Sequence, residues 1–158
     1  VAEVLAQAGR SSQPAMLPVP RDGALPLSFA QQRLWFLARM EGVNTAYNIP
    51  LGLRLRGHLD EAALQRSLAR IIDRHETLRS RFVPHDDDVQ VMIAAADSAV
   101  LLRVEDLRQH PHAEDAMQAL TREQASTPFD LQNDPLIRGC LVRLADDHHV
   151  LLLTLHHI

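Results

Sequence analysis

The stretch from His148 to His157 is apolar on both faces when read as a strand: Val150, Leu152 and Thr154 share one side with His156, and Leu151, Leu153 and Leu155 share the other with His157. A strand with two apolar faces is internal to a sheet, and both imidazoles are predicted to emerge at its end. Other strands and helices must therefore flank it. The 158 residues suffice for one domain, or part of one, with a buried core. The sequence runs to Leu155-His156-His157-Ile158 inside this strand, and the domain is expected to continue past it.

Composition narrows the function classes. No apolar run reaches the roughly 18 to 20 residues of a membrane span, so no membrane association is expected. Charged residues make up 23% of the chain and the net charge is −4, with arginines dispersed among carboxylates; this gives no basic footprint for nucleic acid. All sixteen basic residues are arginine. Lysine Schiff-base chemistry and a P-loop lysine are thereby excluded, and no glycine-rich phosphate loop is present. The single cysteine, Cys140, suits a reducing compartment, and the cytoplasm is the expected location.

Along the chain, Val1, Val4, Leu5 and Ala8 have helical spacing, with Gly9 at the stop position. Residues 10–24 carry Pro14, Pro18 and Pro20 with Ser11, Ser12 and Gly23 and read as a linker. Residues 25–158 then form the folded unit. Ser28 and Gln31 make a capping box opening a helix to about Glu41, whose Ala30, Leu34, Leu37 and Ala38 form an apolar stripe widened by Trp35 and Phe36. Tyr47 to Arg56 alternates as a strand, with Pro50 and Gly52 suggesting an edge. Asp60 caps a second helix whose stripe Leu64, Leu68, Ile71, Ile72, His75, Leu78 predicts about five turns. Strands are predicted around Ser80–Val83, Val89–Ala94, Leu101–Val104, Leu136–Leu144 and His148–His157, and a helix over Ala113–Ser126. The fold class is α/β, an α+β sandwich.

Nine histidines invite a metal site. In a strand, however, His148 and His149 lie roughly 23 to 31 Å from His156 and His157, beyond the reach of one ion. No metal is expected. On residue type alone His156 and His157 are either satisfied histidines at a strand end or an imidazole delivered into a cleft, where a pKa near 6.5 suits proton transfer. His75 reads as a hydrogen-bonded core residue on its helix stripe. Arg74 or Arg79 could instead turn inward to hold a carboxylate. Ser28 reads as a cap, Trp35 as packing, Arg33 as solvent-facing and Cys140 as an inert small hydrophobe.

Ser28-Phe29-Ala30-Gln31-Gln32-Arg33-Leu34-Trp35-Phe36-Leu37 resembles SxAQxRLWxL, the first motif of the nonribosomal peptide synthetase condensation domain. Arg74-His75-Glu76-Thr77-Leu78-Arg79-Ser80-Arg81-Phe82 is similar to the second, RHExLRTxF, with Ser80 for the usual threonine, and His156-His157 opens the third, HHxxxDG. Ala46-Tyr47-Asn48-Ile49-Pro50, Pro128-Phe129-Asp130-Leu131 and Pro135-Leu136-Ile137-Arg138 fall in order between them. The resemblance implies a chloramphenicol acetyltransferase-like fold of two lobes with a tunnel between them, this chain being most of the N-terminal lobe. It implies peptide-bond formation between aminoacyl groups held on 4'-phosphopantetheine arms, with no cofactor bound directly. The implied partners are an upstream donor carrier, a downstream acceptor carrier and an adjacent adenylation domain; residues 1–9 would be the last helix of the preceding carrier. His157 would be the catalytic residue, supported by His156, Arg74 and Arg79, with Arg74 pairing the motif's aspartate. Without that aspartate and the second lobe, the chain alone is expected to be inactive. An epimerization domain of the same fold and a non-catalytic carrier-docking module are the alternatives.

Overall fold

The computed structural model describes residues 17–21, 23–40, 43–86, 88–95 and 102–158. The predicted helix at Val1–Ala8 and most of the linker lie outside them. Two sheets organise the chain. A three-stranded antiparallel sheet has the order β1-β4-β3, with β1 Leu25–Pro26, β3 Ser80–His85 and β4 Asp88–Ile93. A four-stranded sheet has the order β2-β7-β6-β5, with β2 Asn48–Arg56, β5 Arg103–Asp106, β6 Ile137–Ala145 and β7 His148–His156. The doubly apolar strand is thus internal, between β2 and β6, and β2 is the edge that its proline and glycine suggested.

Helices cover both faces of this sheet. Helix α3, Ala113–Ser126, links β5 to β6, which pair in parallel as a crossover requires. It lies over Cys140, Val142, Val150 and Leu152 through Met117, with Leu107 in the same cluster. Helix α2, Glu61–Arg74, packs Leu64 and Leu68 with Leu55 and Leu59 against Leu102, Leu141 and Leu151 on the opposite face. This two-sided burial is why β6 and β7 read as nearly continuous apolar runs. Gly139 on β6 has no room for a side chain: a Cβ there would stand 2.9 Å from a Leu102 methyl and 3.0 Å from one of Leu153. Gly57 turns the chain out of β2 at φ 99° while its N–H donates to the Asp147 carbonyl.

Caps form as the sequence predicts. The Ser28 hydroxyl accepts from the Gln31 N–H while the Gln31 side chain accepts from the Ser28 N–H, opening α1, Phe29–Ala38. Asp60 accepts from the Ala63 N–H at the start of α2.

Three expectations need correction. Helix α1 ends at Ala38, tightening through bonds from Arg39 and Met40 to Phe36 and Leu37, rather than running to Glu41. Its buried face is also narrower than predicted, because Ala30 is exposed and Phe36 is 63% exposed. Helix α2 stops at Arg74: His75 turns extended, at φ −108° and ψ 95°, and a 3-10 helix, Glu76–Arg79, carries Leu78. His75 is therefore exposed rather than a core residue, and Ile71 is 46% exposed. The stripe continued in sequence past the point where the helix had to bend to feed β3.

Candidate active site

The sequence signatures meet in one cluster. Leu27 just before α1, Phe82 of β3, Val89 and Val91 of β4, and Phe129, Leu131 and Leu136 are buried together, with Trp35, Ala38 and Ile158 packed against them. Each quoted segment except Ala46–Pro50 and His156-His157 contributes a side chain, and Ile158 enters directly after the histidines. The backbone ties the same pieces: Phe82 N–H donates to Leu131 O, Leu136 N–H to Leu78 O, and His156 N–H to Leu136 O. The Ala46–Pro50 segment arrives from the other side, where Tyr47 O accepts from the His157 N–H at 2.9 Å. The end of β7 is therefore held between β2 and the Leu136 segment just as it delivers His157.

The two histidines part company there. His157 is exposed, whereas His156 is 7% exposed, so only one of the two imidazoles expected to emerge does so. His156 shares its face with Thr154, and that face is closed by the end of α3 and by Phe129. The rings of Phe129 and His156 meet edge to face, 5.8 Å apart at 68°. Burial first, and the neighbouring His157 second, hold His156 below the usual imidazole range.

Neither predicted arginine contacts the histidines by hydrogen bond or ion pair among the described residues. Arg79 is half-buried and donates to the carbonyls of Ala94 at 2.6 Å and Asp73 at 3.3 Å, bracing the exit of α2 against that of β4. Arg74 is exposed and has no hydrogen bond or ion pair among the described residues. Cys140 is fully buried and its thiol is pushed up to about 11 by burial, as suits an inert core position.

Sequence reading did not assign roles to Asn48, Phe129, Arg138 and Thr154, which surround His156. One signal was available: Arg138 is the lone cation in the otherwise apolar run Ile137 to Val142, and a cation in a buried strand must find partners.

The Condensation domain family model matches residues 21–158. The chain belongs to the condensation-domain family. This condensation domain is 44% identical over 158 residues to malpinin synthetase of Mortierella alpina, covering 100% of the chain and 2% of the synthetase. The first condensation domain of the calcium-dependent antibiotic synthetase, solved with a substrate analogue, superposes with a TM-score of 0.73 at 26% identity, over 88% of this chain and 35% of that one. The X-domain from teicoplanin biosynthesis, solved in complex with OxyB, gives 0.76 at 32% identity, over 94% and 31%. The expected α/β lobe of the chloramphenicol acetyltransferase-like fold is thus the one found. The chain spans 2–3% of the first curated synthetases it matches and about a third of the solved chains. No helix among the described residues is long and apolar enough to cross a membrane.

Proposed function

We propose that this chain forms most of the N-terminal lobe of a peptide-bond-forming condensation domain in a nonribosomal peptide synthetase, with His157 at the reacting centre. The observation that carries the reading is the exposed His157 imidazole at the end of a strand buried on both faces, with the His157 backbone N–H anchored on the Tyr47 carbonyl. The donor group would be a thioester on the phosphopantetheine of an upstream carrier, and the acceptor an amine on that of a downstream carrier. The amine nitrogen attacks the thioester carbonyl, a C–N bond forms, the C–S bond breaks, and the proton lost by nitrogen leaves with the freed thiol. His157 would take that proton or hold the amine in line by a hydrogen bond. Tethering both reactants makes positioning alone worth a large share of the rate.

Arg74, exposed and unpaired among the described residues, is the arginine available to receive the aspartate of an HHxxxDG loop; Arg79 would serve the site by bracing the second motif. Because the chain spans only about a third of the solved domains, it should not condense loaded carriers by itself. An adenylation domain would stand next to it in the synthetase, and the reaction belongs in the cytoplasm.

A second reading, a non-catalytic docking module, draws support from the X-domain solved with OxyB. One variant separates the two. In the full-length synthetase, His157→Ala should slow peptide formation about 100- to 10,000-fold, leaving a measurable residual rate, while both carriers still bind normally; unchanged product would sink the catalytic reading in favour of docking.

A further inference from the structure

Helix α3 ends against three strands at once. Its last carbonyls have no intrahelical N–H to accept from, and side chains supply the donors instead. The Arg138 guanidinium of β6 donates to the carbonyls of Gln124, Thr127 and Pro128. The Asn48 amide of β2 donates to Ala125 at 2.9 Å and Thr127 at 3.0 Å, and the Thr154 hydroxyl of β7 to Gln124 at 3.1 Å. These are the residues flanking His156: Asn48 stands opposite it across the β2–β7 pair, and Arg138 stands opposite Thr154 across the β6–β7 pair.

Arg138 does a second thing. Its guanidinium lies 4.1 Å over the Phe129 ring, whose edge-to-face partner is the His156 ring. Among the described residues, neither His156 ring nitrogen has a hydrogen-bond partner, although both are buried. The described hydrogen bonds therefore leave that ring free to turn, and packing on Phe129 sets its plane. Arg138 forms no ion pair among the described residues; its charge is half-buried, with Asp134 and Glu123 acting on it only from beyond contact. Capping alone could be met by a neutral donor at lower desolvation cost. Only a planar cation both caps the helix and stacks on the ring.

We propose that Arg138 is a positioning residue for His157, acting through Phe129 and His156 to fix where β7 ends. The proposal rests on the catalytic reading of His157. Arg138 touches no reacting atom; its effect is on the placement of the imidazole one residue beyond the stack, where a shift of 1 Å costs about 100-fold in rate.

The test is a double-mutant cycle in the full-length synthetase, read as single-turnover amide formation with both carriers loaded with their cognate aminoacyl groups. Arg138→Lys keeps the charge and loses the fork and the stack. It should slow the chemical step about 10- to 100-fold with carrier binding unchanged, and should slow it no further when His157 is already alanine. An equal loss in both backgrounds, or no loss in either, overturns the proposal. Phe129→Leu enters the same cycle with the same expectation, so a poorly folding Arg138 variant does not decide the matter. The two failures are distinguishable: full turnover by His157→Ala alone defeats the catalytic reading itself, whereas a slow His157→Ala enzyme with additive Arg138 losses defeats only the positioning.

Discussion

The strand β7 carries a histidine pair at each end, and the two ends are built from opposite materials. At the entry, His149 is buried with its Nε2 3.8 Å from Glu61, and Glu61 accepts two 2.6 Å bonds from Arg143. Arg108 joins Asp106 to Asp146 beside them, and Arg143 stands 3.7 Å from Asp106. At the exit no ion pair among the described residues includes His156 or Arg138; His156 meets an aromatic edge, and the polar groups nearby are carbonyls, an amide, a hydroxyl and the Arg138 guanidinium. The same dipeptide stands beside a carboxylate–arginine network at one end and beside an aromatic ring and backbone carbonyls at the other. Residue type is the same at both ends; the surroundings differ.

Exchanging the damage between the ends breaks or sustains that contrast most sharply. His157→Gln should cut the turnover of the full-length synthetase by about 100- to 10,000-fold, the range for a lost acid–base group, with little change in melting temperature. His149→Ala should do the reverse, costing about 1–3 kcal/mol of stability in denaturant titration while turnover per folded enzyme stays as it was. Comparable turnover losses from both would erase the distinction.

Acid should open the ends in separate windows. His156 is held below its ordinary 6.5 because its neutral ring is buried, so the unfolded chain binds more protons than the folded one as pH falls. The stability this end contributes is complete above about pH 6.5 and is lost as pH falls through the folded value. Glu61 is held below its ordinary 4.5 by its Arg143 bonds, so its contribution is complete above about pH 4.5 and is lost only as pH falls through that lower folded value. Amide-exchange protection factors should therefore drop at the His156 N–H as pH falls below about 6.5, while those at Val150 hold until the lower window of Glu61. Simultaneous loss at both would contradict this order.

The smallest effect belongs to the ion pair alone. Glu61→Gln should cost about 0.5–1 kcal/mol at pH 7, measured by urea unfolding, with the difference from wild type fading as pH falls below 4.5. A difference that persists once Glu61 is protonated in the folded state would mean that shape, rather than charge, is what Glu61 contributes.

Much of this was legible in the sequence, for reasons that differ by element. Helix α3 matches its predicted span, Ala113–Ser126, and β7 is internal because two-faced apolarity admits no other place for a strand. What failed were inferences from a local period continued too far. The stripe through Ile71 and His75 kept its spacing after the backbone had left the helix, and Phe36 widened an apolar face that the neighbouring sheet did not reach. The site fell between these cases. His157 was readable as a strand-end imidazole, and the family resemblance singled it out. The surroundings of His156 were not readable, because Arg138 caps carbonyls 10 to 14 residues earlier and Asn48 caps carbonyls 77 and 79 residues later. Such side-chain-to-backbone contacts have no period and depend on a crossover that only the assembled sheet defines.

The place of β7 in the sheet also sets an order of events during synthesis. β2 leaves the ribosome early, yet its hydrogen-bonding partner in this sheet begins at His148, more than ninety residues after Asn48. Until then the strand has an unpaired edge and shows Ile49, Leu51 and Leu53, which remain partly exposed even in the finished fold. Closure of so long a loop is slow and leaves the nascent chain open to mispairing. The four-stranded sheet and the histidine pair at its end are thus completed by one late insertion, so a chain that presents His157 in place is one whose four-stranded sheet has closed.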